Sequence, residues 1–347
     1  MPGYDIHLVG SIPLRDSAEV FETVTARLGS RLVRIPDGET GDRSHWLGWL
    51  EPVFSEHAAF AATGQTSRPH ASSDTRPLHR LKDGVSARDL QFANLRIADV
   101  AVASFGEFKR LKDRGAIPRH LRFQVSVANP LSVVERFVAE ECQDQVFPAY
   151  ERALLAEIDK MAAAIPHDQL AVQWDVASRI MATLEIGKPT RFGRTREDML
   201  REFGAMAVRW GDAIPPGIEL LYHLCYGDNA HRHVVEPSSL EMPVELANVI
   251  SAGIGRSIQL IHMPVPRERS DEAYFEPLRR LKLRPETRIS LGLIHNTDGV
   301  PGTRRRIDTA EKFLSGFLVA TECGFGRRPR ETIPQLLAVH AEVAGIA

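Results

Sequence analysis

Eight short apolar, β-branched runs, most of them separated by segments of helical periodicity, constrain this chain more than any other feature. They span 5–13, 32–39, 122–130, 171–177, 220–228, 257–264, 288–295 and 317–324, and each closes on residues that begin turns. Eight strands alternating with helices predict an α/β fold, a (β/α)8 TIM barrel, because parallel neighbours need helical crossovers. Connecting helices are read at 18–29, 150–165, 239–253 and 309–317. At 347 residues the chain fits one such barrel, so a single domain over 1–347 is expected.

One interval is too long for a single crossover. More than 80 residues separate the second and third runs, and 63–80, which includes the Ser-, Thr- and Pro-rich stretch 63–77, reads as an insertion forming a rim loop or lid. HWLGWLEPVF at 45–54 carries Trp46 and Trp49, which either pack a surface helix or roof a substrate.

Charge narrows the partner. Lys and Arg total 43 against 45 Asp and Glu, which leaves no positive field to draw the chain onto nucleic acid or an anionic membrane. A small molecule is the expected partner. The opening MPGYDIHLVGS has no basic leader, and no 18-residue apolar stretch occurs, so a cytoplasmic location is expected. Three cysteines, Cys142, Cys225 and Cys323, are too few and too odd for a disulfide framework, leaving metal binding or reactivity open.

His223 and Cys225 stand two residues apart in the fifth run, where both side chains share one strand face and can grip one ion. Imidazole and thiolate are good zinc ligands, although the same triplet in an apolar strand also serves as packing. Cys323 ends the eighth run, and a barrel brings all strand C-termini to one rim, so the segments converge. Cys323 alone also reads as a small residue beside a tight glycine turn. Cys142 lies in a helical stretch and receives no role. Other strand ends are polar: Gly10, Ser11, Asp37, Glu39, Asn129, Asp175, His262, His295 and Asp298. Each one could merely cap a turn, but together they suit a polar, zwitterionic ligand. Gly10, Ser11, Glu39, Asn129 and Asp175 are the substrate-binding candidates.

At these residues the chain resembles the cobalamin-independent methionine synthase family, in its catalytic C-terminal barrel, and more distantly the uroporphyrinogen decarboxylase barrel. The likeness runs over nearly the whole chain. VGSIP at 9–13 is similar to a Gly-Ser turn that touches the carboxylate of an amino-acid substrate, which implies that role for Gly10 and Ser11. DGETGDR at 37–43 resembles the acidic segment that receives the substrate amine, on Glu39 here, and QWDVA at 173–177 implies Asp175 as the second amine-binding acid. HLCYGD at 223–228 matches a zinc motif, ECGFGRR at 322–328 the stretch with the last zinc thiolate, and LIHNTDG at 293–299 the segment with the catalytic histidine, His295. Where the family carries a glutamate ligand, this chain reads LIHMPVPRER, which puts His262 in the fourth ligand position, with Glu268 and Glu322 as substitutes.

The resemblance implies bound Zn2+, held by His223, Cys225, His262 and Cys323, and transfer of a methyl or other alkyl group to a small, homocysteine-like thiol. His295 would protonate the leaving group with Asp298 orienting or assisting it. Two other readings stay open on the residues. One is a metal-free lyase or decarboxylase that uses Arg267, Arg269 and the arginines at 304–306 on an anionic substrate. The other is a protein that binds a thiol metabolite beside a closed, structural zinc site.

Overall fold

The computed structural model of the protein describes residues 3–67, 75–227, 233–326 and 328–346. Its strands are β1 (Arg34–Pro36), β2 (Phe60–Thr66), β3 (Pro77–Leu81), β4 (Arg122–Ala128), β5 (Leu170–Val176), β6 (Glu219–Leu224), β7 (Leu260–Pro264), β8 (Arg288–Ile294) and β9 (Leu318–Thr321). Seven of them form one parallel sheet in the order β1-β4-β5-β6-β7-β8-β9, which is consistent with a TIM-like barrel. Seven of the eight strands expected from sequence are therefore present, most of them shorter than read.

The first expected strand is the exception. Residues 5–13 form no continuous ladder; they touch the sheet through single bridges, Ile6 with both Leu32 and Val319, and Ser11 with Gly38. His7 N donates to the Val319 carbonyl at 3.0 Å, and Ile12 N to the Gly38 carbonyl at 2.8 Å. The segment thus contacts β9 at one edge of the sheet and the residues on either side of β1 at the other.

Parallel strands buried on both faces need apolar residues on both, and β5 is buried at all seven positions. Trp174 and Tyr222 face outward, where the indole Nε1 donates to the Trp210 carbonyl (3.0 Å) and the phenol to the Ala207 carbonyl (2.8 Å), both in the helix Arg196–Asp212. The opposite face starts on a small apolar cluster of Ala171, Leu221, Leu260 and Leu318. Two residues further along the same strands, the same face carries Gln173, His223 and His262. An apolar floor under a polar layer is how the sheet builds its site.

Helices Ile97–Asp113, Glu140–Ala164, Arg196–Asp212, Glu241–Gly253 and Gly299–Ala310 lead into β4, β5, β6, β7 and β9. The expected helix at 309–317 is misplaced: the helix ends at Ala310 and the following residues form turns, leaving the helical pattern on GVPGTRRRIDTA. The long insertion is partly ordered. β2 and β3 pair antiparallel, and β3 is anchored where Ala139 N donates to the His79 carbonyl at 2.9 Å. Phe54 stacks with Phe137 and Tyr150 and meets Phe60 edge-on, which ties this part to the body. Residues 68–74 of the expected loop or lid lie outside the described residues.

His340, in the helix Ile333–Val343, is fully buried, donates through Nδ1 to the Leu336 carbonyl at 2.7 Å, and burial pushes its pKa from 6.5 down to about 4. The folded chain keeps this ring neutral, while the unfolded chain takes up a proton near 6.5. Its stabilising contribution is therefore complete above that value and lost as pH falls towards about 4. Urea unfolding of metal-depleted protein at several pH values between 7 and 4 should show stability falling with acid, this residue contributing at most about 1.4 kcal/mol per pH unit. His340→Leu should flatten that slope; an unchanged slope would contradict the assignment.

Candidate functional site

Register brings the chemistry together before any loop does. Asp175 in β5 pairs with His223 in β6, and His223 with His262 in β7. His223 Nδ1 lies 2.7 Å from His262 Nδ1, while His262 Nε2 lies 3.0 Å from the Thr321 carbonyl. A carbonyl only accepts, so His262 carries its proton on Nε2, and burial together with His223 and His7 keeps its pKa well below the ordinary value. Its Nδ1 is then an acceptor, and His223 Nδ1–H donates to it. That leaves the lone pair of His223 on Nε2, a buried atom with no hydrogen-bond partner.

The orphaned nitrogen belongs to a group of three. Donor atoms of His223, Cys225 and Cys323 all lie within 4.8 Å of one another, and the two sulfurs are 3.9 Å apart. Two thiolates on a tetrahedral zinc at about 2.3 Å each stand about 3.8 Å apart, so the chain's own geometry fits the ion. Hydrogen bonding with Cys323, opposed by burial and helped by His223 and the Gly227 amide (3.2 Å from Sγ), holds the Cys225 thiol well below its usual pKa. Burial resists charge on His223, but Cys225 and Asp175 outweigh it and raise its pKa.

His262 departs from expectation. It was expected as the fourth ligand; both its ring nitrogens are instead engaged away from the sulfurs, and it stands behind His223 as the group that fixes its tautomer. Glu268 is ion-paired to Arg267 and largely exposed, so it does not substitute. Glu322 is buried between two imidazoles, its oxygens 3.6 Å from His233 Nε2 and 3.7 Å from His295 Nδ1. The sequence reading missed His233. Its Nδ1 meets Glu236 at 3.1 Å and its Nε2 is another buried nitrogen with no hydrogen bond; a histidine beyond the strand end in the stretch after HLCYGD was the available signal. Asp228 lies outside the described residues.

His295 is buried at the end of β8 and its Nε2 donates to the Val265 carbonyl at 2.9 Å. Burial and Arg306 push its pKa down to about 3, so the ring is neutral with a bare Nδ1. Asp298 does not hydrogen-bond it, contrary to expectation. The carboxylate takes a bidentate pair of bonds from Arg306 at 2.7 and 2.8 Å, because Arg306 is buried and needs a countercharge. Asn129 is likewise absorbed by structure. It is fully buried, caps the helix Pro130–Phe137 by accepting from Ser132 N (3.0 Å), and donates to the Asp175 carbonyl (2.8 Å).

A small recess, open to solvent, adjoins this centre and is bordered by Glu39, Asp175, Arg43, Trp46 and Trp49. Burial raises the Asp175 pKa to about 6, against hydrogen bonds from Gln173 (2.9 Å) and Trp46. Gln173 also meets His7 at 3.1 Å, so the polar layer is continuous. The turn that carries Glu39 is wound tightly: Gly38, Glu39, Gly41 and Trp46 all have positive φ. Arg43 pins it by two bonds to Asp37, at 3.2 and 2.8 Å. Left-handed backbone at two non-glycine residues costs free energy, a signature of a functional turn. Gly10 sits beside it; a Cβ there would lie 3.0 Å from Ser126 Oγ and 3.5 Å from Glu39 Oε1. Ser11 is tied to the Cys323 turn instead, accepting from Gly326 N at 3.2 Å and, on its carbonyl, from Phe325 N.

No protein-family model matches the chain, and no curated protein matches it in sequence. Among solved structures, a candidate vitamin-B12-independent methionine synthase from Listeria monocytogenes is similar over 99% of this chain and 98% of its own, with TM-score 0.57 and 13% identity. A methyltransferase from Methanosarcina mazei is similar over 99% of this chain and 94% of its own, with TM-score 0.52 and 12% identity. Likenesses at such identities bear on the fold, and they place the chain in an architecture shared with both proteins.

Proposed function

We propose that the protein is a zinc-dependent methyl- or alkyltransferase acting on a small, homocysteine-like thiol, on a barrel that residues 5–12 complete as the eighth staggered member. The reading is supported above all by the grouping of His223, whose Nε2 is buried without a hydrogen-bond partner, with two thiols at tetrahedral spacing. His223, Cys225 and Cys323 would hold the ion and leave a fourth position for the acceptor, the open arrangement of a catalytic site. Bound there, zinc supplies Lewis acidity that lowers the pKa of a substrate thiol and readies its sulfur to attack. The chain's own groups do the rest. Glu39 and Asp175 bind the acceptor's cationic head in the recess, while Gly10 leaves room beside them. Nδ1 of His295, 3.7 Å from the Glu322 carboxylate, is the proposed site from which a proton passes to the leaving group as the carbon–sulfur bond forms and the bond from carbon to the leaving group breaks. The partners are small molecules, and a cytoplasmic setting suits free thiols; no helix among the described residues is long and apolar enough to cross a membrane.

Co(II) substitution followed by addition of candidate thiols tests the reading. An increase of the thiolate-to-cobalt absorption beyond that from Cys225 and Cys323 on adding one thiol names the acceptor; no change with any thiol would favour a closed, structural ion, and failure to take up cobalt would favour the metal-free reading. Asp175→Asn and Glu39→Gln should each weaken binding of an amine-bearing thiol by about 1.5–3 kcal/mol with metal content unchanged. Equal affinity of wild type and Asp175→Asn, by calorimetry, would remove that role.

A further inference from the structure

Within the recess, charge and apolar surface are combined in an unusual way. Arg43 is neutralised by its paired bonds to Asp37, and the buried carboxylate of Asp175 brings negative charge to the recess beside Glu39. Asp175 already accepts from Gln173 and from Trp46, and thus offers a ligand negative charge more than a vacant acceptor. Around the carboxylates stand two indoles, Trp46 and Trp49, with Leu47, Leu50, Ile97 and Val127. A bare ammonium asks for three hydrogen-bond acceptors in exchange for its water, and a wall built largely of indole and aliphatic side chains is poor in them. An alkylated cation has little hydration to lose, and indole is the best aromatic partner for it.

We infer that the recess bounded by Trp46, Trp49, Glu39 and Asp175 selects a small organic cation whose charged nitrogen or sulfur bears alkyl groups, an alkylated ammonium or a sulfonium. This rests on the amine-binding part of the proposed function, deepening it from any ammonium to an onium centre, and it does not rest on the metal. The onium would sit beside Asp175, whose strand neighbour in register is His223, so a reacting atom a few bonds away reaches the thiols.

Calorimetric titration with tetramethylammonium, trimethylsulfonium, methylammonium and tetramethylurea as a neutral control tests this, in wild type and in metal-free Cys225→Ser. Both onium ions should bind at least about fivefold more tightly than methylammonium in both proteins, with tetramethylurea weakest. The tighter of the two onium ions identifies nitrogen or sulfur as the centre. Trp49→Leu, which keeps the carboxylates, should erase the preference, and Asp175→Asn should weaken all cations alike. Methylammonium binding as well as the onium ions, or a preference that survives Trp49→Leu, would overturn the inference while leaving the zinc reading intact. Wild type that takes up no zinc yet keeps the onium preference would do the reverse.

Discussion

Serine in place of Cys225 or Cys323 is expected to take the protein from about one zinc per chain to almost none, when it is purified without chelator and measured by elemental analysis. Three donor atoms within 4.8 Å make the centre, and removing one thiolate leaves too few soft ligands to compete with buffer and water. A hydroxyl is a poor zinc ligand at neutral pH because it does not ionise, whereas Cys225 is already biased towards thiolate by Cys323 and His223. The folded state should survive, since the site sits on strand ends above an apolar floor that the substitution does not touch. Cys142→Ser is the control. Cys142 lies in the helix Glu140–Ala164, away from the other two, and its replacement should leave metal content unchanged. Full zinc occupancy in either rim variant would mean that the ligand set is wrong, and partial loss in Cys142→Ser would point to general thiol chemistry.

The features that sequence exposes are those with a short physical period. His223 and Cys225 share a face because strands repeat every two residues, and their meeting with Cys323 follows from strand C-termini gathering at one edge of a parallel sheet. Buried strands were legible for the same reason. What the period cannot show is which partner a polar side chain chooses. Asp298 looked like an orienter for His295, but buried Arg306, on the helix it precedes, claims both oxygens. Asn129 looked like a ligand contact, and the proline after it marks a helix start that it caps. Residues 5–13 read as a strand from composition, yet they reach the sheet only by single bridges, a matter of tertiary placement. Glu322, offered by sequence as a substitute ligand, lies one residue beyond the strand end at Thr321, where strand alternation no longer assigns a face.

Replacing His262 should show a different kind of dependence from that of the thiols, because the residue acts through His223. His223 Nε2 is free to bind a metal only while Nδ1 keeps its proton, and the acceptor that keeps it there is His262 Nδ1, 2.7 Å away and itself fixed by the Thr321 carbonyl. His262→Leu removes the acceptor and strands a buried N–H, so zinc affinity should fall about 10- to 100-fold without loss of stoichiometry at saturating metal. His262→Gln can accept from His223 through Oε1 and donate through Nε2 to Thr321, and it should recover much of that loss. X-ray absorption at the zinc edge reads the ligands directly. Wild type, His262→Leu and His262→Gln should share one set of two sulfurs and one imidazole nitrogen, with only affinity changing between them. If His262 were itself a ligand, both variants would lose an imidazole from the coordination shell and glutamine would rescue nothing. That pattern would return the site to a closed two-histidine, two-cysteine zinc, leave no position for a substrate thiol, and favour a structural ion over a catalytic one.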